Sequence, residues 1–333
     1  MEAHQDSLLI LIPSFNDWAA LRLLLPRIDL SMRGLRWHTA VLIVDDASTQ
    51  PLPPCWPSLE LTAIDSITIL HLRCNLGHQR AIALGLYHAH EFTGADAVLV
   101  MDGDGEDRAE DLPALLAEFE RSNRRETVFA ARTKRMESLG FQIFYRIYRM
   151  VHKALTGIEV RVGNFSVLPR SALTRIMAVS DLWNHYAAGV YRARLPRRLL
   201  PLARGSRLEG QSRMDFVSLL IHGLAAISVF SDKVSARLLA ASSAFAMLGL
   251  GFLLWTGLTA PAVLSLVIAA QSLTFAVLFA LTIVSRRSSV NFVLLRDAPY
   301  FILGKTEAAE KPFPVGRNSG SGAWGTASVA SVR

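Results

Sequence analysis

Cysteine is scarce in this chain of 333 residues: only Cys55 and Cys74 are present. Two thiols without a paired spacing exclude a disulfide framework and a cysteine zinc motif, and they suit a reducing compartment. No internal repeat is present. Nor does a recognisable nucleic-acid module or an aromatic-interleaved basic surface accompany the net charge of +7, so no nucleic-acid partner is expected. A secretory leader is not expected either, because the apolar run Leu8 to Ile12 is too short and the residues before it carry no positive flank. Charge is missing from two long stretches, 236–258 after Arg237 and 262–284 throughout. Each matches the ~20 apolar residues that a bilayer span requires. With 51% hydrophobic residues in the chain, two transmembrane helices are the better reading than a buried hairpin in a soluble core.

Basic residues orient this hairpin. The connection 256–261 has no Lys or Arg, whereas Lys233 and Arg237 precede the first span and Arg286 and Arg287 follow the second. The positive-inside rule then puts the short loop outside and both ends in the cytoplasm, which predicts a multi-pass protein of the cell inner (cytoplasmic) membrane. Further bases cluster in 124–125, 132–135, 146–153 and 191–213, all ahead of the hairpin. That distribution suits a face against anionic lipid, at ~1 kcal/mol per nearby base. The stretch Phe141 to Lys153 has helical period with aromatics on one side and bases on the other, as an interfacial helix or an ordinary surface helix would.

The first part of the chain follows another grammar. Leu8 to Ile12 and Val41 to Val44 read as buried strands ended by Pro13-Ser14-Phe15-Asn16-Asp17 and Asp45-Asp46-Ala47-Ser48, with a helix from Trp18 to Arg27 between them. Strand, helix, strand is the pattern of a parallel sheet whose strand ends share one rim. Val98 to Met101 ends in Asp102-Gly103-Asp104-Gly105-Glu106-Asp107, carboxylates on a glycine turn that can converge on one hard cation. Open α/β sheets bind ligands at this edge. Before it, Asn75-Leu76-Gly77-His78-Gln79-Arg80 opens a helix from Ala81 to His90, whose free N–H groups suit an anion near Arg80. Taken singly, Asp46 and Asn75 read equally well as turn or capping residues.

In order and spacing these motifs resemble those of family 2 glycosyltransferases. The resemblance implies a GT-A fold, an α/β domain with a mostly parallel sheet, and a nucleotide-sugar donor with a divalent metal, Mg2+ or Mn2+. It implies that Asp46 contacts the nucleotide base, Asp102 the ribose and sugar side, and Asp104 the metal, with Pro13, Asn16, Asn75, Gly77 and Arg80 completing the donor site. More narrowly, the chain resembles membrane-bound polyprenyl-phosphate glycosyltransferases and dolichol-phosphate mannose synthases. Arg207-Leu208-Glu209-Gly210-Gln211-Ser212-Arg213-Met214 is similar to their Arg-x-x-Gly-x-Ser-Lys-Tyr segment, implying that Arg207, Ser212 and Arg213 hold the donor diphosphate or acceptor phosphate. Where that subfamily has Gly-Asp-Phe-Arg, this chain has Gly163-Asn164-Phe165-Ser166, so Asn164 is no carboxylate base. A phosphate acceptor, already anionic with its second pKa near ~6, tolerates that loss. A hydroxyl acceptor needs a base, for which Asp107, Asp181, His185 and Glu209 are candidates.

The expected organisation is a cytoplasmic GT-A domain over 1–232, with Asp104, Arg213 and Asn164 as its catalytic group. The transmembrane pair follows over 233–287, then an interfacial segment with a short helix over 288–310 and a disordered tail over 311–333. The expected activity is inverting transfer of a sugar to a polyprenyl phosphate or other lipid acceptor. The alternatives are a hydroxyl acceptor on a glycolipid or polysaccharide and a catalytically silent membrane scaffold; a homo-oligomer is left open.

Overall fold

The computed structural model describes residues 6–53, 61–132, 139–158, 162–209, 223–288 and 294–310. In chain order the catalytic part comprises β1 (Asp6–Ser14), α1 (Trp18–Met32), β2 (Trp37–Asp45), β3 (Ile64–Leu72), α2 (His78–Phe92), β4 (Ala97–Val100), α3 (Leu112–Arg121) and β5 (Thr127–Arg132). It continues through α4 (Leu139–Thr156), β6 (Val162–Pro169), α5 (Arg170–Met177), α6 (Tyr186–Arg192) and β7 (Arg197–Leu202). Two long helices follow, α7 (Ser231–Thr256) and α8 (Ala260–Ser288), then the short α9 (Leu294–Asp297) and β8 (Ile302–Glu310).

The eight strands form one sheet in the order β7-β5-β6-β4-β1-β2-β3-β8. Strand β1 runs parallel to β2 and β4, with Ile10 opposite Val41 and Leu99, so the ends of all three open on one rim. Strand β6 is antiparallel to β4. Alternate residues of the central strands feed two cores: Leu9, Leu11, Leu42 and Val44 pack with α2 and α5, while Leu8, Ile10, Val41 and Ile43 pack with α1 and α3. Each such buried aliphatic side chain contributes roughly 1.5–3 kcal/mol. Helix α2 lies so close to the sheet that a Cβ on Gly85 would come within 2.6 Å of Leu11 Cδ1.

Three elements differ from expectation. Helix α1 continues past Arg27 to Met32 because its last turns bury Ile28 and Met32, and buried Asp29 accepts hydrogen bonds from the Thr62, Ala63 and Ile64 amides. Tertiary contacts there outweigh the backbone bond that Pro26 removes. Strand β3 was hidden by its interrupted apolar pattern. The segment after the hairpin is not simply a short interfacial helix: α9 has four residues, and β8 then returns to the sheet antiparallel to β3, with Leu70 opposite Lys305. The catalytic sheet is therefore built from both sides of the hairpin.

Helices α7 and α8 pack on each other, with Leu266 filling the space beside Gly249 and Ser242 Oγ donating to the Ala269 carbonyl at 2.9 Å. Their other faces are bare apolar surface: Met247 is 74%, Leu254 80% and Trp255 84% exposed. A soluble core helix does not look like this. Helix α4 exposes Ile147, Met150 and Val151 beside Arg146 and Lys153, and Arg237 of α7 caps its end by donating to the Ala154 carbonyl at 2.7 Å.

Candidate active site

Three strand ends meet at the rim. After β4 the chain turns through Asp102 to Asp107, and the turn holds itself together: Asp107, buried, accepts from the Asp102 amide at 2.9 Å, and Asp104 Oδ1 accepts from the Glu106 amide at 3.0 Å. Gly105 permits the reversal at φ +83°, where a side chain would also strike Leu208. The segment 205–208 lies along this turn, with Gly205 and Leu208 amides donating to the Glu106 and Asp104 carbonyls. It delivers Arg207, whose guanidinium bridges Asp104 Oδ2 at 3.2 Å and Asp17 Oδ1 at 2.6 Å. Arg204 pairs with Glu106 beside it. A cleft of about 490 Å³, lined by Arg27, Arg108, Arg204 and Arg207 among others, flanks the turn.

Burial, reinforced by the neighbouring Asp102 charge, pushes the Asp104 carboxyl up to about 6 despite Arg207 and Arg204. The turn thus concentrates more negative charge than its solvation supports, which creates demand for a cation. Arg207 meets that demand here. Among the described residues no three His, Cys, Asp or Glu side chains form a closed metal cage.

The second strand end serves the rim differently. Asp46, buried, accepts from the Leu76 and Gly77 amides, both at 2.8 Å, and so pins the turn that opens α2. Burial raises its pKa although both amide bonds oppose the rise. Asn16, at φ 55°, accepts from the Thr49 and Gln50 amides at 2.8 and 2.9 Å and ties the loop after β1 to the loop after β2. Pro13 is buried in β1 opposite Val44, and Asn75 is exposed on the turn before Gly77. Arg80 points its guanidinium over the Trp183 ring, 5.4 Å from the centroid, rather than into the acidic turn.

Asn164 of β6 does join the site. Its Nδ2 lies 3.3 Å from Asp102 Oδ1 and 2.9 Å from His78 Nε2, which itself lies 3.0 Å from Asp102 Oδ1. Gln79 holds the far side: its Nε2 donates to Asn164 Oδ1 at 3.1 Å and its Oε1 accepts from the Tyr186 amide at 2.7 Å. Burial disfavours charge on His78, but Asp102, with Asp107 and Asp104 behind it, outweighs that effect and raises its pKa. Sequence reading missed His78 and Gln79; the available signal was that the Asn75-Leu76-Gly77 turn sets the first residues of α2 at the same rim. Ser212 and Arg213 lie outside the described residues. His185 caps α6, accepting from the Ala188 amide at 3.3 Å, and Asp181 lies 3.7 Å from Arg192, while exposed Glu209 gives its carbonyl to Arg207.

The parallel βαβ half, the acidic turn after β4 and the antiparallel β6 beside it define a GT-A catalytic domain. The family model described as "Glycosyl transferase family 2" matches residues 9–177, and the chain belongs to that family. It is a nucleotide-sugar glycosyltransferase. None of the curated proteins matches this sequence. Similar solved structures include a mannosyltransferase from Pyrobaculum calidifontis in complex with GDP-Man and Mn2+, at 17% identity over 81% of this chain and 86% of that one, TM-score 0.41. Mannosyl-3-phosphoglycerate synthase from Rubrobacter xylanophilus is 15% identical over 69% of this chain and 74% of its own, TM-score 0.48. Glucosyl-3-phosphoglycerate synthase from Mycobacterium tuberculosis, in complex with uridine diphosphate, is 12% identical over 69% and 80%, TM-score 0.45.

Proposed function

We propose that this protein transfers a sugar, with inversion, from a nucleotide-sugar donor to a polyprenyl phosphate at the cytoplasmic face of the inner membrane. The observation that carries the reading is the join between catalytic sheet and hairpin. Because β8 pairs with β3 after α7 and α8, both ends of the hairpin return to the side of the catalytic domain. A pair of helices with bare apolar flanks on such a tether keeps the acidic rim beside a lipid surface, where a lipid-borne acceptor is at hand. The basic-apolar face of α4 and the charge-free connection between α7 and α8 support the same placement.

The chemistry follows from the rim. Asp104, with a carboxyl that burial and Asp102 make costly to ionise, fits a site for Mg2+ or Mn2+ shared with the donor's diphosphate, since such ions are commonly held by one or two carboxylates plus substrate phosphates. Bound there, the metal would neutralise the leaving diphosphate. Asp102 is assigned to the ribose and sugar side and Asp46 to the base, with Pro13, Asn16, Asn75, Gly77 and Arg80 around the donor. Asp46 and Asn16 act in part by fixing the loops that shape this pocket. Arg207, released from Asp104, passes to a phosphate oxygen, and Ser212 and Arg213 assist it. An oxygen of the acceptor phosphate attacks the anomeric carbon while that carbon's bond to the diphosphate breaks, and the electron pair leaves on the nucleoside diphosphate. No carboxylate base is required, which accounts for Asn164.

The test is to supply the full-length protein in lipid nanodiscs with a panel of nucleotide sugars, polyprenyl phosphate and Mn2+. A sugar-phospho-polyprenol should form with one donor and disappear with Asp104→Asn or with chelator. Near-normal turnover by the folded variant would overturn the assignment of Asp104.

A further inference from the structure

His78 is the first residue of α2 and stands at the rim one residue beyond Gly77, whose amide donates to Asp46. In the sheet, β1 and β2, assigned to the donor, lie on one side of β4, and β6 lies on the other. His78 sits over the β4–β6 side, touching Asp102 from β4 and Asn164 from β6.

The network also fixes which ring nitrogen is free. The Tyr186 backbone amide can only donate, so Gln79 must turn Oε1 toward it and Nε2 toward Asn164. Asn164 must then present Nδ2, not Oδ1, to Asp102 and His78. Nε2 therefore faces both an N–H donor, Asn164 Nδ2 at 2.9 Å, and a carboxylate acceptor, Asp102 Oδ1 at 3.0 Å. This anchors the imidazole through Nε2. Nδ1 has no partner among the described residues, and the side chain is 44% exposed. The anchored ring turns Nδ1 outward, beside Asn164 of β6.

We propose that His78 Nδ1–H holds the phosphate of the lipid acceptor, so that His78 is a substrate-binding residue selecting a phosphomonoester over an alcohol. The inference rests on the polyprenyl-phosphate reading and names the contact that reading lacks among the described residues on the β6 side. Asn164 and Gln79 act through His78 and Asp102, as positioning residues.

The experiment compares wild type, His78→Gln and His78→Lys, full-length in nanodiscs, in acceptor KM with polyprenyl phosphate and in nucleotide-sugar affinity by calorimetry without acceptor. Losing a charge-assisted hydrogen bond should raise the acceptor KM of His78→Gln roughly tenfold or more while donor affinity stays within about twofold. His78→Lys, which restores positive charge, should recover most of the loss. An unchanged acceptor KM in His78→Gln, an equal loss of donor affinity, or a Lys variant as poor as the Gln variant would overturn the proposal while leaving the polyprenyl-phosphate reading standing. If wild type does not use polyprenyl phosphate at all, the reading and the proposal fall together. Should the Gln variant not fold, diethylpyrocarbonate labelling of wild-type His78, read by mass spectrometry, probes the same contact: polyprenyl phosphate should slow it and polyprenol should not. Equal rates would reject the contact.

Discussion

At the scale of single residues, the site is tuned at a cost to the fold. Asp104 has a carboxyl pushed up to about 6 from an ordinary 3.8. A raised acid pKa means the ionised form is disfavoured in the folded state, so stability is greatest below the unfolded value and is lost as pH rises through about 6. The difference corresponds to about 3 kcal/mol at neutral pH. Asp104→Asn should therefore raise Tm at pH 7.5, with a gain that shrinks at pH 4.5; a fall in Tm at both pH values in thermal melts would contradict this account. Arg207 supplies a second prediction. Its guanidinium competes for the same carboxylate that is proposed to take the metal, at 3.2 Å from Asp104 Oδ2. Arg207→Gln should bind Mn2+ alone severalfold more tightly, by calorimetry, while turnover falls because the diphosphate loses its cation. Weaker Mn2+ binding in the variant would show that Arg207 organises the site rather than filling it.

At the scale of elements, the strands that end in polar residues were legible because each switches abruptly from apolar run to acid or proline. The acidic turn after β4 and the junction of β1 with β2 needed no structure to be found. The network behind Asp102 did need one: His78 and Gln79 of α2 and Tyr186 of α6 join Asn164, which the sequence itself singles out, and the bond from Gln79 to Tyr186 spans 107 positions. Local spacing carries no trace of such contacts. The structural duties of Asp46 and Asn16 were hidden for the same reason. Strand β8 was missed because its mixed pattern gains meaning only from β3, whose Leu70 and His71 pair with Lys305 and Gly304. Its return gives a prediction about α7 and α8. A reporter in 256–261 should lie outside the cytosol and one joined after residue 310 inside. Both on the same side would defeat the two-span arrangement.

At the scale of the whole molecule, apolar surface and charge are divided between two jobs. The sheet buries its aliphatic residues on both faces and leaves the acidic rim polar, while α7 and α8 leave theirs exposed. Bases cluster in 124–125, 132–135, 146–153 and 191–213, all ahead of the hairpin, although the acids of the same part leave it only weakly positive. The exposed apolar hairpin, the clustered bases and a rim without a carboxylate at position 164 are the features behind the proposal of an acceptor that brings its own negative oxygen. The most direct measurement runs the reconstituted protein in parallel with polyprenyl phosphate and with the polyprenol of the same chain length, at saturating nucleotide sugar and Mn2+. The phosphate should yield glycosylated lipid and the alcohol none; transfer to the alcohol at a comparable rate would contradict the account.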